Sequence, residues 1–295
     1  MGTELHGWRR LAGAAWAAPN DPQFYGDLEV DAAILQTFLG DVRRRTGVHV
    51  TVTHLVGKAI ALGLGAVPEL GVRLARGREY PRESTDVFFI VADGDELTGV
   101  KIVAADTKPV FEIARELEQR VLEIRADSDE QLGRTKALME RLPRPVLRGA
   151  IRLSALLTSG FNLDLPKLGL PRQAFGGAMV TSVGGWGVTH AYSPLASYYR
   201  VPLLILVGAV HEKPVAVAGR VVARPMLGLT ATFDHRYCDG SQAVRFAAVV
   251  KDYLANPQAF EPDLHSTRQA NGSVSQTPTG VGTIDLTEGH LASTV

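Results

Sequence analysis

A histidine, an aspartate and a glycine stand here at a spacing that suits proton transfer. The run Phe233-Asp234-His235-Arg236-Tyr237-Cys238-Asp239-Gly240 sets an imidazole four residues before a carboxylate, with a glycine directly after it. The ordinary pKa of imidazole lies near neutrality, so a histidine presented at a strand end can take up and return a proton at working pH. Asp239 is placed to hold the loop, and Gly240 to permit a tight turn. A lone His-x-x-x-Asp-Gly also fits a surface histidine beside an Asp-Gly turn, so the flanking residues decide. A second chemically capable pair is Thr181-Ser182, which follows Gly176-Gly177. Alternation along a strand points the two hydroxyls to opposite faces, so only one can donate to a given site. The neighbours of Cys238 are equally consistent with a small buried residue.

These groups need elements to position them. Met226 to Phe233 is an apolar, β-leaning run that delivers His235 to a strand end. Ser241 is placed to cap a following helix, with Val244, Phe246, Ala247, Val250 and Leu254 on its apolar face. Upstream, Asp27 to Val30 alternates like a strand, and Asp31 can cap a helix over Ala32–Thr46 that stops before Gly47. A second helix is expected from about Thr53 to Ala66, carrying His54 as a packed residue with no catalytic role. Val87 to Val91 reads as a buried strand and Leu97 to Val103 as its partner. Pro109 opens a helix to about Ala126, and another spans about Asp129 to Arg141. Arg141, Arg144, Arg148 and Arg152 fall at helical spacing, so they form a basic stripe beside apolar residues. That helix suits either an anionic membrane surface or, the favoured reading, packing on another subunit. Val201 to Val210 is a buried strand, and a hairpin turns at Gly219. Leu5 to Trp16 is expected to be helical, while 263–295, rich in Ser, Thr, Gly and Gln, is expected to be a disordered tail.

Composition narrows the classes. The chain has 295 residues, 45% hydrophobic, with 31 basic and 31 acidic side chains. Zero formal charge argues against a nucleic-acid partner held by phosphate neutralisation. One cysteine excludes an intrachain disulfide. No bilayer-spanning stretch or signal peptide is read, which sets the expectation of a cytoplasmic protein. Gly184, Gly185 and Gly187 lack the spacing and lysine of a phosphate loop, and Trp186 among them fits either a core or a channel lining.

Five segments together resemble one family. Arg224-Pro225-Met226 through Asp239-Gly240 is similar to the catalytic core of the dihydrolipoyl acyltransferases of 2-oxoacid dehydrogenase complexes, within the chloramphenicol acetyltransferase-like superfamily. Thr51 to Leu62 with Val67-Pro68-Glu69-Leu70 resembles the family's second helix. Phe175 to Gly184 resembles its Gly-Gly-x-Phe-Thr-Ile-Ser-x-x-Gly strand, and Val207 to Val215 its Val-Gly…Pro-Val segment. Trp8-Arg9-Arg10 with Pro22-Gln23-Phe24 resembles its opening.

The resemblance implies an α/β (α+β) fold of the chloramphenicol acetyltransferase type, with a mixed sheet flanked by helices, over residues 1–262. It implies acyl transfer between coenzyme A and a dihydrolipoyl thiol or another acceptor. His235 is then the general base, Thr181 (or the adjacent Ser182) the oxyanion donor, and Asp239 a loop-holding partner of Arg10 or Arg9. It further implies a homotrimer or multiple of trimers with His235 and Thr181 meeting across an interface, acyl-CoA and a lipoylated protein as partners, and no metal. Leu97 to Lys101 departs from the family's more apolar segment, and Pro143 to Leu170 is its least similar stretch. No lipoyl or subunit-binding domain is read before the core. That keeps two alternatives open: a free-standing acyltransferase on a small molecule or lipid, and a catalytically silent trimeric scaffold.

Overall fold

A computed structural model describes residues 21–93, 96–127, 144–165, 172–195 and 201–261. The helix expected over Leu5–Trp16 with Arg9 and Arg10, the helix over Asp129–Arg141 and the tail 263–295 lie outside the described residues.

The chain runs β1 (Gln23–Asp31), α1 (Ala32–Thr46), α2 (Val52–Ala66), a two-stranded ribbon of β2 (Val72–Ala75) and β3 (Arg78–Pro81), then β4 (Val87–Asp93) and β5 (Glu96–Ile102). It continues through α3 (Val110–Asp127), α4 (Arg144–Ala155), β6 (Ala178–Ser182), β7 (Leu203–Val217), β8 (Arg220–Asp234), α5 (Gly240–Ala255) and the short α6 (Pro257–Phe260). Six strands form one mixed sheet in the order β1-β8-β7-β6-β4-β5. The inner pairs β7–β6 and β6–β4 are parallel, and the outer pairs are antiparallel. β7 and β8 are joined at Ala218-Gly219, both at positive φ (49° and 78°), as a tight two-residue hairpin requires.

Local chemistry sets the helix ends. The Asp31 carboxylate accepts from Ala33 N at 2.9 Å, and Gly47, at φ 70°, closes α1 with its N–H on Arg43 O. α2 begins at Val52, one residue earlier than expected, because Thr51 N donates to His54 Nδ1 at 3.0 Å. The histidine thus takes the place that Glu or Gln fills in a capping box. α2 is buried nearly all round, since it lies between the sheet and α5. Gly57 leaves room for the Phe89 ring and Gly63 for Phe246, each of which a Cβ would meet at under 3 Å. Lys58, also buried, donates to the carbonyls of Asp106 and Lys108 at 2.6 and 2.7 Å, which fixes the turn ahead of α3. The expected Leu97–Val103 strand is β5. Its Lys101 reaches the Gln173 carbonyl at 2.9 Å and Asp86 at 3.4 Å, so this polar strand ties the sheet edge to the approach to β6.

Two details of α5 differ from expectation. Its cap is Asp239, whose Oδ1 accepts from Ser241 N at 2.8 Å, while Gln242 reaches back to Asp239 N. Asp239 has the extended backbone of a cap, and Ser241 already lies inside the helix. Val244 faces outward, 70% exposed, and the buried face is completed instead by Tyr253, whose hydroxyl donates to Glu261.

Candidate active site

β8 delivers His235 as the sequence predicts: the strand ends at Asp234 and residues 235–237 turn. The turn is held by its backbone. His235 N donates to Pro22 O at 2.7 Å, Asp234 N to Pro202 O at 2.9 Å, and Tyr237 N to Asp234 O at 3.0 Å. The His235 side chain is exposed, with its ring tilted against Phe24 at 5.0 Å, and Phe24 stacks on Phe233 at 5.0 Å. The tilted contact with Phe24 and the backbone bonds of the turn hold His235 at the strand end, exposed to solvent.

A second anchor was not singled out from the sequence. Asp234, buried to 4%, is gripped by the Arg236 guanidinium, with Nε on Oδ1 at 2.9 Å. That hydrogen bond also holds the Arg236 guanidinium pKa up. The alternating pair Asp-x-Arg around His235 was its signal: two opposite charges two residues apart on a turn share one face. Tyr237, buried as well, has its phenol pKa raised by burial and hydrogen-bonds the Leu74 backbone, so β2 braces the same loop.

Asp239 is exposed, and its carboxyl is held below the usual range by the Ser241 hydroxyl and N–H. Within the described residues it works as the cap of α5. Gly240 is the first residue of that helix, lies outside the left-handed region, and has open space where a Cβ would sit. The expected tight turn therefore does not require it. Cys238 is 5% exposed, and burial pushes its thiol up to about 11, which removes it as a thiolate nucleophile near neutrality.

Thr181 and Ser182 end β6, on opposite faces as alternation dictates. Ser182 shares its face with Val180 and Ala178, which pack in the main core, whereas Met179, on the Thr181 face, packs in a second cluster with Leu204 and Leu206. Ser182 lines a cleft of about 590 Å³ with Thr51–Thr53 of α2, Ile90 of β4 and the Gly184–Trp186 turn. Its Oγ accepts from Gly184 N at 3.3 Å, which leaves the hydroxyl proton free to be donated.

Within one chain these groups do not meet. Thr181 pairs with Leu206 and Leu206 with Thr230, five residues short of His235. Strand geometry puts His235 roughly 16 Å further along and two strands across, on the order of 19 Å away. Because β8 is antiparallel to β7, the C-terminal ends of β6 and β8 lie at opposite ends of the sheet.

Comparison with known proteins finds relatives of part of the chain and of its fold. Residues 171–261, which carry Thr181, Ser182 and the whole His235 loop, match the family model described as 2-oxoacid dehydrogenases acyltransferase (catalytic domain). Over that segment, about a third of its length, the chain is similar to the 2-oxoacid dehydrogenase acyltransferase family. It is 34% identical over 122 residues, 39% of this chain and 26% of the relative, to a probable dihydrolipoyllysine-residue succinyltransferase component of the 2-oxoglutarate dehydrogenase complex from Schizosaccharomyces pombe. It is 25% identical over 234 residues, 78% of this chain and 42% of the relative, to the corresponding component from Saccharomyces cerevisiae. The chain thus spans less than half the length of these curated relatives. Its fold matches that of the cubic core of the pyruvate dehydrogenase multienzyme complex, with a TM-score of 0.60 at 22% identity, covering 82% of this chain and 84% of that one. The mixed sheet flanked by helices is the fold expected from the sequence.

Proposed function

We propose that this protein is a coenzyme A-dependent acyltransferase that exchanges an acyl group between coenzyme A and a thiol acceptor, with a dihydrolipoyl group supplied by another chain as the first candidate. The observation that carries the reading is His235, held by backbone bonds and an aromatic face at a strand end inside the segment that matches the family model. In its neutral form His235 takes the proton of the attacking thiol, whose own pKa lies above neutrality. The sulfur adds to the thioester carbonyl, the oxyanion forms and then collapses, and the departing thiolate recovers the proton from the imidazolium. No acyl-enzyme is needed.

For the oxyanion donor we favour Ser182 over Thr181. Ser182 faces the cleft with its Oγ oriented by Gly184 N, whereas Thr181 faces away from it. Asp239, as cap of α5, keeps the histidine loop in register; a partner for it at Arg10 remains part of the proposal. The separation of Ser182 and His235 within one chain supports a site shared between subunits, as in a trimer.

Thiol release from a panel of acyl-coenzyme A thioesters with free dihydrolipoamide tests the reading. Turnover that disappears in His235→Ala is the expected result. Turnover with another acceptor alone would replace the dihydrolipoyl reading by a small-molecule or lipid acyltransferase. No His235-dependent turnover with any pair would leave a scaffold.

A further inference from the structure

α4 plays no part in the proposed acyl transfer. Arg144, Arg148 and Arg152 recur along it every four residues, and residues 144–163 contain no carboxylate, in a chain whose basic and acidic side chains balance at 31 each. Among the described residues, the only element on which α4 packs substantially is the π-helical turn Leu156–Gly160 that continues it. Large apolar side chains along this stretch therefore stay in water. Val146, Leu153 and Leu156 are each about half exposed, and Phe161 and Leu163 are only slightly less so. Val146, Ala150 and Leu153 follow the spacing of one helix face, and the arginine positions follow that of the face roughly opposite.

The end of the stretch is tied down beside a further cation. Arg73 Nη1 donates to Asn162 Oδ1 at 2.7 Å, which pins the chain to β2. Arg76, on the exposed turn between β2 and β3, lays its guanidinium over the Phe161 ring, 4.6 Å from the centroid. An aromatic ring and a cation are thus presented together at one surface. Asp164, the first carboxylate beyond the stretch, accepts from Arg172 N at 2.9 Å.

The sequence alone favours packing of α4 on another subunit. An exposed apolar face on a stretch with arginines and no carboxylate favours an anionic lipid surface instead, because pairing two copies of it would set arginine against arginine. At twelve residues α4 is about 18 Å long, too short to cross a hydrocarbon core of about 30 Å. No helix among the described residues is long and apolar enough to cross a membrane.

We propose that α4, the turn after it and the Arg76 tip of the β2–β3 ribbon dock this protein on the surface of a bilayer that carries anionic lipid. Val146, Leu153 and Leu156 then lie toward the acyl chains, and the basic groups lie among the headgroups. This inference goes beyond acyl transfer and does not depend on it.

Co-sedimentation of the full chain with phosphatidylcholine vesicles, with and without phosphatidylglycerol, tests it. Wild type should pellet with the anionic vesicles, stay in solution with the neutral ones, and be released by high salt, which screens exposed charges. One basic side chain near an anionic surface is worth about fivefold in affinity, so Arg76→Ser combined with Arg152→Ser should weaken binding by about 25-fold. Leu153→Ser combined with Leu156→Ser should weaken it by about tenfold or more, because the apolar insertion is lost. Leu153→Ile, which keeps the apolar surface, should bind as wild type does. Equal binding to neutral and anionic vesicles, binding indifferent to either pair of substitutions, or no binding at all overturns the inference. A fall in assembly mass in the leucine pair, read by analytical ultracentrifugation without lipid, also overturns it, by making this face a contact between subunits.

Discussion

At the residue scale, the choice between two adjacent hydroxyls has kinetic consequences. Loss of one oxyanion donor typically costs about 10²–10³ in rate. Ser182→Ala should therefore lower kcat by about that factor with little change in KM, while Thr181→Val should leave kcat near wild type. The reverse pattern in steady-state kinetics would return the role to Thr181. His54 offers a separate test. Burial lowers its pKa from 6.5 to about 4, so an unfolded chain takes up a proton in that window that the folded chain refuses. Stability should thus fall as pH drops from about 6.5 to about 4 and level off below, by on the order of 3 kcal/mol. His54→Gln keeps an acceptor for Thr51 N and removes the titration, so urea unfolding across that range should show a flatter pH dependence. An unchanged slope would place the titrating group elsewhere.

At the scale of elements, the site depends on a crowded crossing beside the Gly184 turn. β7 bulges between Val207 and Val210, and a Cβ on Gly208 would lie 1.9 Å from the Thr189 carbonyl. Gly208→Ala should destabilise the fold by about 1–3 kcal/mol or more in chemical denaturation. A neutral outcome would mean that the 188–191 segment yields readily. This crossing also marks where sequence reading stops. The strand into His235, the cap and stop of α1, and the β7–β8 hairpin were legible because period, capping residue and turn residue agree locally. The burial of Tyr253 in place of Val244 was not, because it depends on Glu261, which reaches both the phenol and the N-terminus of α3. The spacing of His235, Asp239 and Gly240 was legible as a motif, whereas the Asp234–Arg236 grip and the Leu74–Tyr237 brace needed the fold. The choice between Thr181 and Ser182 needed to know which face of β6 lines the cleft.

At the scale of the molecule, the sheet places its two candidate catalytic groups at opposite ends, and α4 leaves Val146 and Leu153 about half exposed. The first suits a chain that works in an assembly, and the second leaves α4 available for docking. The central claim, that His235 of one subunit acts on a thioester held by the hydroxyl of another, is tested most directly by subunit complementation. His235→Ala and Ser182→Ala chains, each inactive alone, would be mixed, dissociated and reassembled, and acyl transfer measured. A shared site predicts recovery of about one quarter of wild-type activity, because in a cyclic assembly of randomly mixed chains about that fraction of interfaces pairs an intact histidine with an intact serine. If each subunit carried its own complete site, every chain in the mixture would still lack one group, and no activity would return.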